Sequence, residues 1–327
     1  ILPPALLPSH PSHLEFPGPV TPNAPRTETN LTFNSNQTGL PREFGPANPQ
    51  AMILHSTGLY APPGEPVTVV VPQELVDSGV SVQVGVHDDT LWHKSKIWRF
   101  PSIVRSYPIA ETQFEVGNAF GGPIFLASPP DAPLGSTWAE FRGGVEAPIY
   151  QHGSTSFSEW QIIRNRSAPW AEISSDQFIM SVPSSEIRGL DNPEELMDFW
   201  VEALEMEHEL YGFMPWPRIE RAAFDIQISA GWMHSGYPFM AHLVSAQEAV
   251  DLEHMESEGS WGMFHELGHN HQWNPSRLPG TTEATCNFAS VYLMEDLVGL
   301  DLGHSALSLQ QRHQRMESYF QGGADID

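Results

Sequence analysis

The chain has 327 residues, and because single hydrophobic cores stop growing at roughly 250–300 residues, two packed units are expected. Hydrophobic residues make up 40% and charged residues 17%, enough apolar material to exclude disorder throughout, while 30 prolines and 26 glycines imply many turns and loops. Fifteen Lys and Arg against 40 Asp and Glu give a net charge of −25, a field that repels nucleic acid and anionic membrane surfaces.

Residues 1–50 are dense in Pro, Asn, Ser and Thr without a helical or strand period. That is the composition of a leader or linker, so no regular structure is expected there. From Ala51 the pattern changes. Residues 67–71 and 80–86 are β-branched runs bounded by Pro and Gly, as buried strands require, and residues 123–126 follow Gly121-Gly122 in the same way. Residues 159–163 read as a further strand, which gives a β-rich accessory domain over 51–165. The helical period begins at Asn192-Pro193-Glu194-Glu195, where a cap, a first-turn proline and acidic residues suit the positive end of a helix. Leu196, Phe199, Trp200, Ala203 and Leu204 then recur on one face, and Gly212 marks the stop. Residues 221–229 predict a strand, Ser245 with Glu248 a capping-box start, residues 260–273 a third helix and residues 282–297 a fourth. The second unit, 166–327, is therefore mixed, and the fold class of the whole is α+β.

The chemistry is concentrated in the third helix. His265-Glu266-Leu267-Gly268-His269 places two imidazoles four residues apart, on one helix face and about one turn from each other, so one metal ion can bridge them. The plain alternative is a pair of ordinary histidines on a half-buried helix. Glu266 points around the helix from both, where it reaches water beside a metal without taking a coordination position, the geometry of a general base. Gly268 costs roughly 1 kcal/mol relative to Ala inside a helix, which predicts the close approach of another segment. Catalytic zinc sites take three protein ligands and leave the fourth position to water. Glu283, near the start of the fourth helix, is the preferred third ligand, with Glu295 and His271 as alternatives. Tyr237 and Tyr292 are candidate donors to a developing oxyanion. Trp232, Trp273, Asn270 and Arg277 lie near the motif in sequence and offer aromatic faces and hydrogen bonds for a sugar. Cys286 is the only cysteine, so no intramolecular disulfide can form.

The stretch His265-Glu266-Leu267-Gly268-His269-Asn270-His271-Gln272, followed by Glu283-Ala284-Thr285-Cys286-Asn287, resembles the M60-like, enhancin-like peptidases of the gluzincin group. So do Gly58-Leu59-Tyr60-Ala61-Pro62-Pro63-Gly64-Glu65, Gly85-Val86-His87-Asp88-Asp89, Asn118-Ala119-Phe120-Gly121-Gly122, Ala168-Pro169-Trp170-Ala171-Glu172 and Gly236-Tyr237-Pro238, in the family's order. The likeness covers about residues 51–300. It implies a β-sandwich-like first part, a zincin catalytic part, one catalytic Zn2+ and a third ligand at Glu283. It also implies a secreted or cell-surface enzyme that cuts mucin-type proteins beside O-glycosylated Ser or Thr. Two departures stand against it. About forty residues follow Glu283, fewer than the family's catalytic part commonly has, so an incomplete catalytic part is expected. Some animal members act as binding or regulatory proteins, a role against which the intact Glu266 argues. No apolar run approaches the roughly 20 residues of a membrane span.

Overall fold

Val67, Val69, Val82, Val84 and Phe141 point inward at alternate positions along their strands, and this period of two builds the first half of the molecule. The computed structural model describes residues 2–36, 39–132, 134–212, 216–300 and 308–324. Its first eight strands are β1 (Thr27–Asn34), β2 (Ile53–Ala61), β3 (Val67–Val70), β4 (Ser81–Val84), β5 (Arg105–Pro108), β6 (Gln113–Val116), β7 (Gly122–Ser128) and β8 (Ser136–Glu146). They form one connected sheet in the order β5-β4-β7-β2-β8-β3-β6, with β1 also on β8. The long β8 pairs with β1 and β3 along its body and with β2 only through Val145 and Glu146. The sheet therefore folds over at β8, and its two arms share one core, the sandwich-like first part that the family resemblance implies.

The opening segment departs from the expectation of a structureless leader. Strand β1 lies within it, pairing antiparallel with β8 over Thr27–Asn34. Only Phe33 of that strand is buried, so its sequence, Thr-Glu-Thr-Asn-Leu-Thr-Phe-Asn, carries almost no apolar signal. Further forward, Phe16 packs edge-on against Trp170, whose Nε1 donates to the Pro17 carbonyl at 2.8 Å.

The second half contains β9 (Ile149–Gln151), α1 (Phe157–Ile163), β10 (Trp170–Ser174), β11 (Phe178–Pro183), α2 (Ser184–Ile187), α3 (Pro193–Tyr211), β12 (Glu220–Asp225), β13 (Met233–His234) and β14 (Phe239–His242). After these come α4 (Ser245–Ala249), α5 (Leu252–Ser257), α6 (Trp261–His271), α7 (Thr282–Tyr292) and α8 (Leu309–Gln321). Residues 159–163, read as a strand, belong to helix α1. Ser156 accepts from the Glu159 amide while Glu159 accepts from Ser156, and this reciprocal cap outweighs the strand preference of Ile162 and Ile163. Strand β9 pairs in parallel with β10, so the second sheet takes in residues assigned to the β-rich part. The expected strand at 221–229 is shorter, and Ser245 makes no side-chain cap on α4.

This second sheet runs β13-β14-β12-β11-β10-β9, with α3 and α6 packed against it around Trp200, Phe178, Phe239 and Phe264. The halves are riveted by buried charges. Arg99 pairs with Asp225 at 2.8 Å, and Arg221 on β12 donates to Glu172, to the Leu54 carbonyl and to Ser56 on β2. Leu54 and Phe125 meet Ala223 and Met240 across the same junction. Among the described residues no helix is long and apolar enough to cross a membrane.

Candidate metal centre

Helix α6 buries Met263, Phe264 and Leu267 in the core of the second half, and this fixes which way its other face looks. His265 and His269 then face α7, with ring centroids 4.6 Å apart and planes nearly perpendicular. Gly268 lets the two helices close up. A Cβ built on it would stand 2.7 Å from the Cys286 carbonyl oxygen and 3.0 Å from the Ala289 side chain. The close approach expected from the cost of that glycine is the approach of α7.

Glu283, in the first turn of α7, brings Oε2 to 3.2 Å from His265 Nε2 and 3.3 Å from His269 Nε2. Both rings are oriented from behind. His265 Nδ1 donates to Asn287 Oδ1 at 2.7 Å and His269 Nδ1 donates to Gln272 Oε1 at 3.0 Å. The Gln272 amide is itself fixed, because its Nε2 donates to the Thr282 carbonyl and to Thr285 Oγ1. With Nδ1 carrying the proton, each Nε2 presents a lone pair, and two lone pairs meet a carboxylate oxygen. A metal ion relieves that convergence, as does a proton on one of the rings. A tetrahedral zinc ion, with Zn–N of about 2.0–2.1 Å and Zn–O of about 2.0–2.2 Å, sets such ligand atoms about 3.3 Å apart, so the residues present fit it.

Cys286, three residues beyond Glu283 on α7, lies beside the cluster, its Sγ 3.5 Å from His265 Nδ1 and 3.7 Å from His265 Nε2. The ligand atoms of His265, His269, Glu283 and Cys286 all lie within 4.8 Å of one another. Burial and then the charges of Glu283 and Glu266 push its thiol up to about 12. Glu266, almost completely covered, is raised above its ordinary carboxylate range by burial, against the pull of His265, His269 and His234. His234 on β13 was not foreseen. Burial disfavours its charge, but hydrogen bonds to Asp89 Oδ2 at 2.9 Å and to the Ser235 carbonyl, with the charges of Asp89 and Glu266, raise it above the usual imidazole value.

Other expected residues fall elsewhere. Asn270 is fully buried and its amide is committed to Glu220 and to both backbone groups of Gly236, so it holds the 236 turn and has no group left for a sugar. Tyr237 is buried, its hydroxyl accepts from the Leu54 amide at 3.4 Å and its ring lies under Arg218, so it ties the two halves together and is not an oxyanion donor. His271 donates inward to Glu207 at 2.7 Å, and Glu295 is exposed beyond the end of α7; neither is in the cluster. Arg277 is held by Asn274 and Thr282. Trp273 is exposed, and so is Trp232, which stacks on His242 with centroids 4.6 Å apart. Tyr292 is half-buried at the end of α7.

Helical spacing held the signal for three of the residues that were missed, though not for His234 on its strand. Cys286 and Asn287 stand three and four positions after Glu283, and Gln272 three after His269, so each lies about one turn from a candidate ligand.

Residues 143–327, more than half of the chain, match the family described as Peptidase M60, enhancin and enhancin-like. The chain belongs to that family. Residues 23–137 match the N-terminal domain of M60-like peptidases, so both the M60 resemblance and the α+β reading are borne out. Among curated relatives, this M60 chain is 39% identical over 290 residues to a TRPM8 channel-associated factor homolog of Xenopus laevis, covering 87% of itself and 32% of that protein. It thus spans about a third of the length of the curated relatives it matches. Two solved structures share the fold at low identity. One is a functionally unknown conserved protein from Bacillus anthracis str. Ames, solved as a mutant (TM-score 0.70, 16% identity, 90% of this chain and 60% of that one). The other is IMPa from Pseudomonas aeruginosa in complex with an O-glycopeptide (TM-score 0.60, 16% identity, 89% and 36%).

Proposed function

We propose that this M60 chain is a zinc-dependent endopeptidase that hydrolyses peptide bonds in extracellular, mucin-type glycoproteins beside O-glycosylated Ser or Thr. The observation that carries the reading is the convergence of His265 Nε2, His269 Nε2 and Glu283 Oε2 next to a covered Glu266. Membership of a peptidase family supports the reaction class, and the O-glycopeptide bound by a protein of the same fold supports the substrate class.

In this reading His265, His269 and Glu283 hold the ion and Glu266 works beside it. A bound zinc ion supplies Lewis acidity, polarising a scissile carbonyl and lowering the pKa of water at the site to roughly 7. Glu266 accepts the water's proton on a carboxylate oxygen and delivers it to the departing amine. Burial of Glu266 suits that return trip, because it raises the carboxyl's affinity for the proton it must carry. Asn287 and Gln272 keep both imidazoles in the Nδ1-protonated tautomer throughout. Trp232 and Trp273 offer exposed ring faces for an attached sugar.

A second reading, a glycan-binding or adhesion module with a structural metal site, is favoured by one observation, the 39% identity to a relative named a TRPM8 channel-associated factor homolog. Digestion separates the two. A desialylated, O-glycosylated mucin-type protein and its unglycosylated peptide are incubated with the native chain and with Glu266→Ala, zinc content being measured for each. Cleavage of the glycoprotein alone, by the native chain alone, is the expected result. Intact substrate in the presence of bound zinc would overturn the peptidase reading in favour of the binding module.

A further inference from the structure

Residues 92–98, Trp-His-Lys-Ser-Lys-Ile-Trp, hold the only two lysines of a chain whose net charge is −25. Among the described residues neither Lys94 nor Lys96 makes an ion pair, although the chain carries 40 Asp and Glu. The rings beside them are equally open, Trp92 being 69% exposed and Trp98 60%. Unpaired cations and bare indoles in one short loop suit a ligand that is anionic and has an apolar face. We propose that this loop, with Trp232 and His242, is a subsite for an acidic sugar, one carrying a carboxylate, on the glycan of the substrate. The inference rests on the glycoprotein part of the proposed function and names the kind of sugar selected beside the metal centre.

The aromatic part of the subsite is preformed. Trp232, 58% exposed, stacks on His242 with the ring planes 11° apart, and Trp98 meets the same imidazole at 86° with centroids 6.0 Å apart. Two indoles from different halves of the molecule thus form a corner around His242. Trp232 Nε1 donates to Ser245 Oγ at 3.2 Å, which holds its ring. The loop is pinned as well. The Trp98 amide donates to Gln227 Oε1 at 2.7 Å, Gln227 Nε2 donates to the Lys96 carbonyl at 2.9 Å, and His93 Nε2 donates to the Ser229 carbonyl at 3.1 Å. Just beyond Trp98, the buried pair of Arg99 and Asp225 fastens the chain. A fixed indole corner stacks on the apolar face of a sugar without first having to be ordered, and the lysines two and four residues before Trp98 meet a carboxylate as compact point charges.

Position ties this corner to the metal centre. Trp232 directly precedes β13, and Met233 of that strand packs on α6, since a Cβ built on Gly262 would stand 2.8 Å from Met233 Sδ. Gly262 lies one helical turn before Glu266. At the start of the loop segment, Asp89 holds His234 of the same strand at 2.9 Å. The corner is therefore built on the strand that flanks the metal-site helix, where a glycan beside a scissile bond would lie. The overall negative field opposes an extended anionic surface such as a membrane more than a single acidic sugar. At physiological salt that field decays over about 8 Å, so the loop's own lysines dominate at contact.

Binding, rather than turnover, tests the subsite. The full chain carrying Glu266→Ala, which leaves a substrate intact, is titrated with one O-glycosylated mucin-type protein in its sialylated and desialylated forms. The same titrations are made after adding Lys94→Gln with Lys96→Gln, or Trp98→Ala. The expected result is at least fivefold tighter binding of the sialylated form, a preference that fades in 1 M salt and disappears with the two lysines. Their removal should weaken binding of the sialylated form by about tenfold or less and leave the desialylated form unchanged, while Trp98→Ala weakens both. Equal binding of the two forms, or a preference that survives loss of both lysines, would overturn the acidic-sugar subsite and leave the glycoprotein reading standing. Binding of neither form would overturn both. Binding to phosphatidylserine vesicles that is lost with the lysines, without preference between the two glycoforms, would overturn the assignment in favour of a lipid surface.

Discussion

His265 Nδ1 donates to Asn287 Oδ1 at 2.7 Å, a bond from the metal-site helix α6 to the facing helix α7. It fixes the ring's orientation and leaves Nε2 facing Glu283, so in the proposed site Asn287 would act on a metal without touching it. Asn287→Ala is expected to weaken zinc binding by about 10–100-fold with little change in fold. Competition against a chelator of known affinity measures this, and an unchanged constant would mean that packing alone holds the imidazole.

Glu266 is the one acid of the cluster's neighbourhood to which the proposed chemistry assigns a moving proton. Glu266→Gln keeps its size and removes its basicity. Zinc content should be unchanged while peptide hydrolysis falls by about 100- to 10,000-fold. Parallel measurement of metal content and turnover checks it, and retained turnover would remove Glu266 from the mechanism.

His87 gives a pH test of stability away from the metal. It is almost fully buried between Phe16 and Trp170, and burial, followed by the nearby Arg99 charge, holds its pKa well below 6.5. Above 6.5 the ring is neutral folded and unfolded, so it contributes no pH dependence. Below 6.5 the unfolded chain takes up a proton that the folded chain refuses, and stability falls as pH falls. His87→Phe should flatten that fall by about 1.36 kcal/mol per pH unit below the unfolded-state value. Urea unfolding of both chains between pH 6.5 and 5 checks the difference in slope, and equal slopes would show that His87 charges inside the fold.

How much of this was legible depends on where each residue's partners lie in the chain. The pair His265 and His269 is a local pattern, so helix geometry alone put both on one face, and Glu283 followed from the turn that brings α7 back. Strand β1 was hidden because its pairing is with β8, more than a hundred residues away, and its outward residues are polar. Asn270 and Tyr237 were misplaced for a related reason. Each sits close to the motif in sequence or in the family's pattern, yet Glu220 and Leu54, which take up their polar groups, come from other elements. Adjacency in sequence indicated which segment reaches the site, and tertiary hydrogen bonding decided which way each side chain turns.

Gly268 tests whether the site depends on the contact between α6 and α7. By helix propensity alone Gly268→Ala should stabilise α6 by about 1 kcal/mol. The added Cβ, however, would meet the Cys286 carbonyl oxygen at 2.7 Å and the Ala289 side chain at 3.0 Å, and a backbone carbonyl cannot swing aside as a flexible side chain can. Overpacking of this kind costs about 1–3 kcal/mol, so the balance is zero to about 2 kcal/mol of destabilisation. The larger effect falls on the metal, because moving α7 outward shifts Glu283, Cys286 and Asn287 together while His265 and His269 stay on α6. Zinc affinity is therefore expected to fall by more than tenfold even where the urea midpoint changes little. The two measurements are made on the same preparation. A stabilised chain with unchanged zinc affinity would mean that α7 does not dock on α6 as described, and with it would go the convergence of Glu283 on His265 and His269.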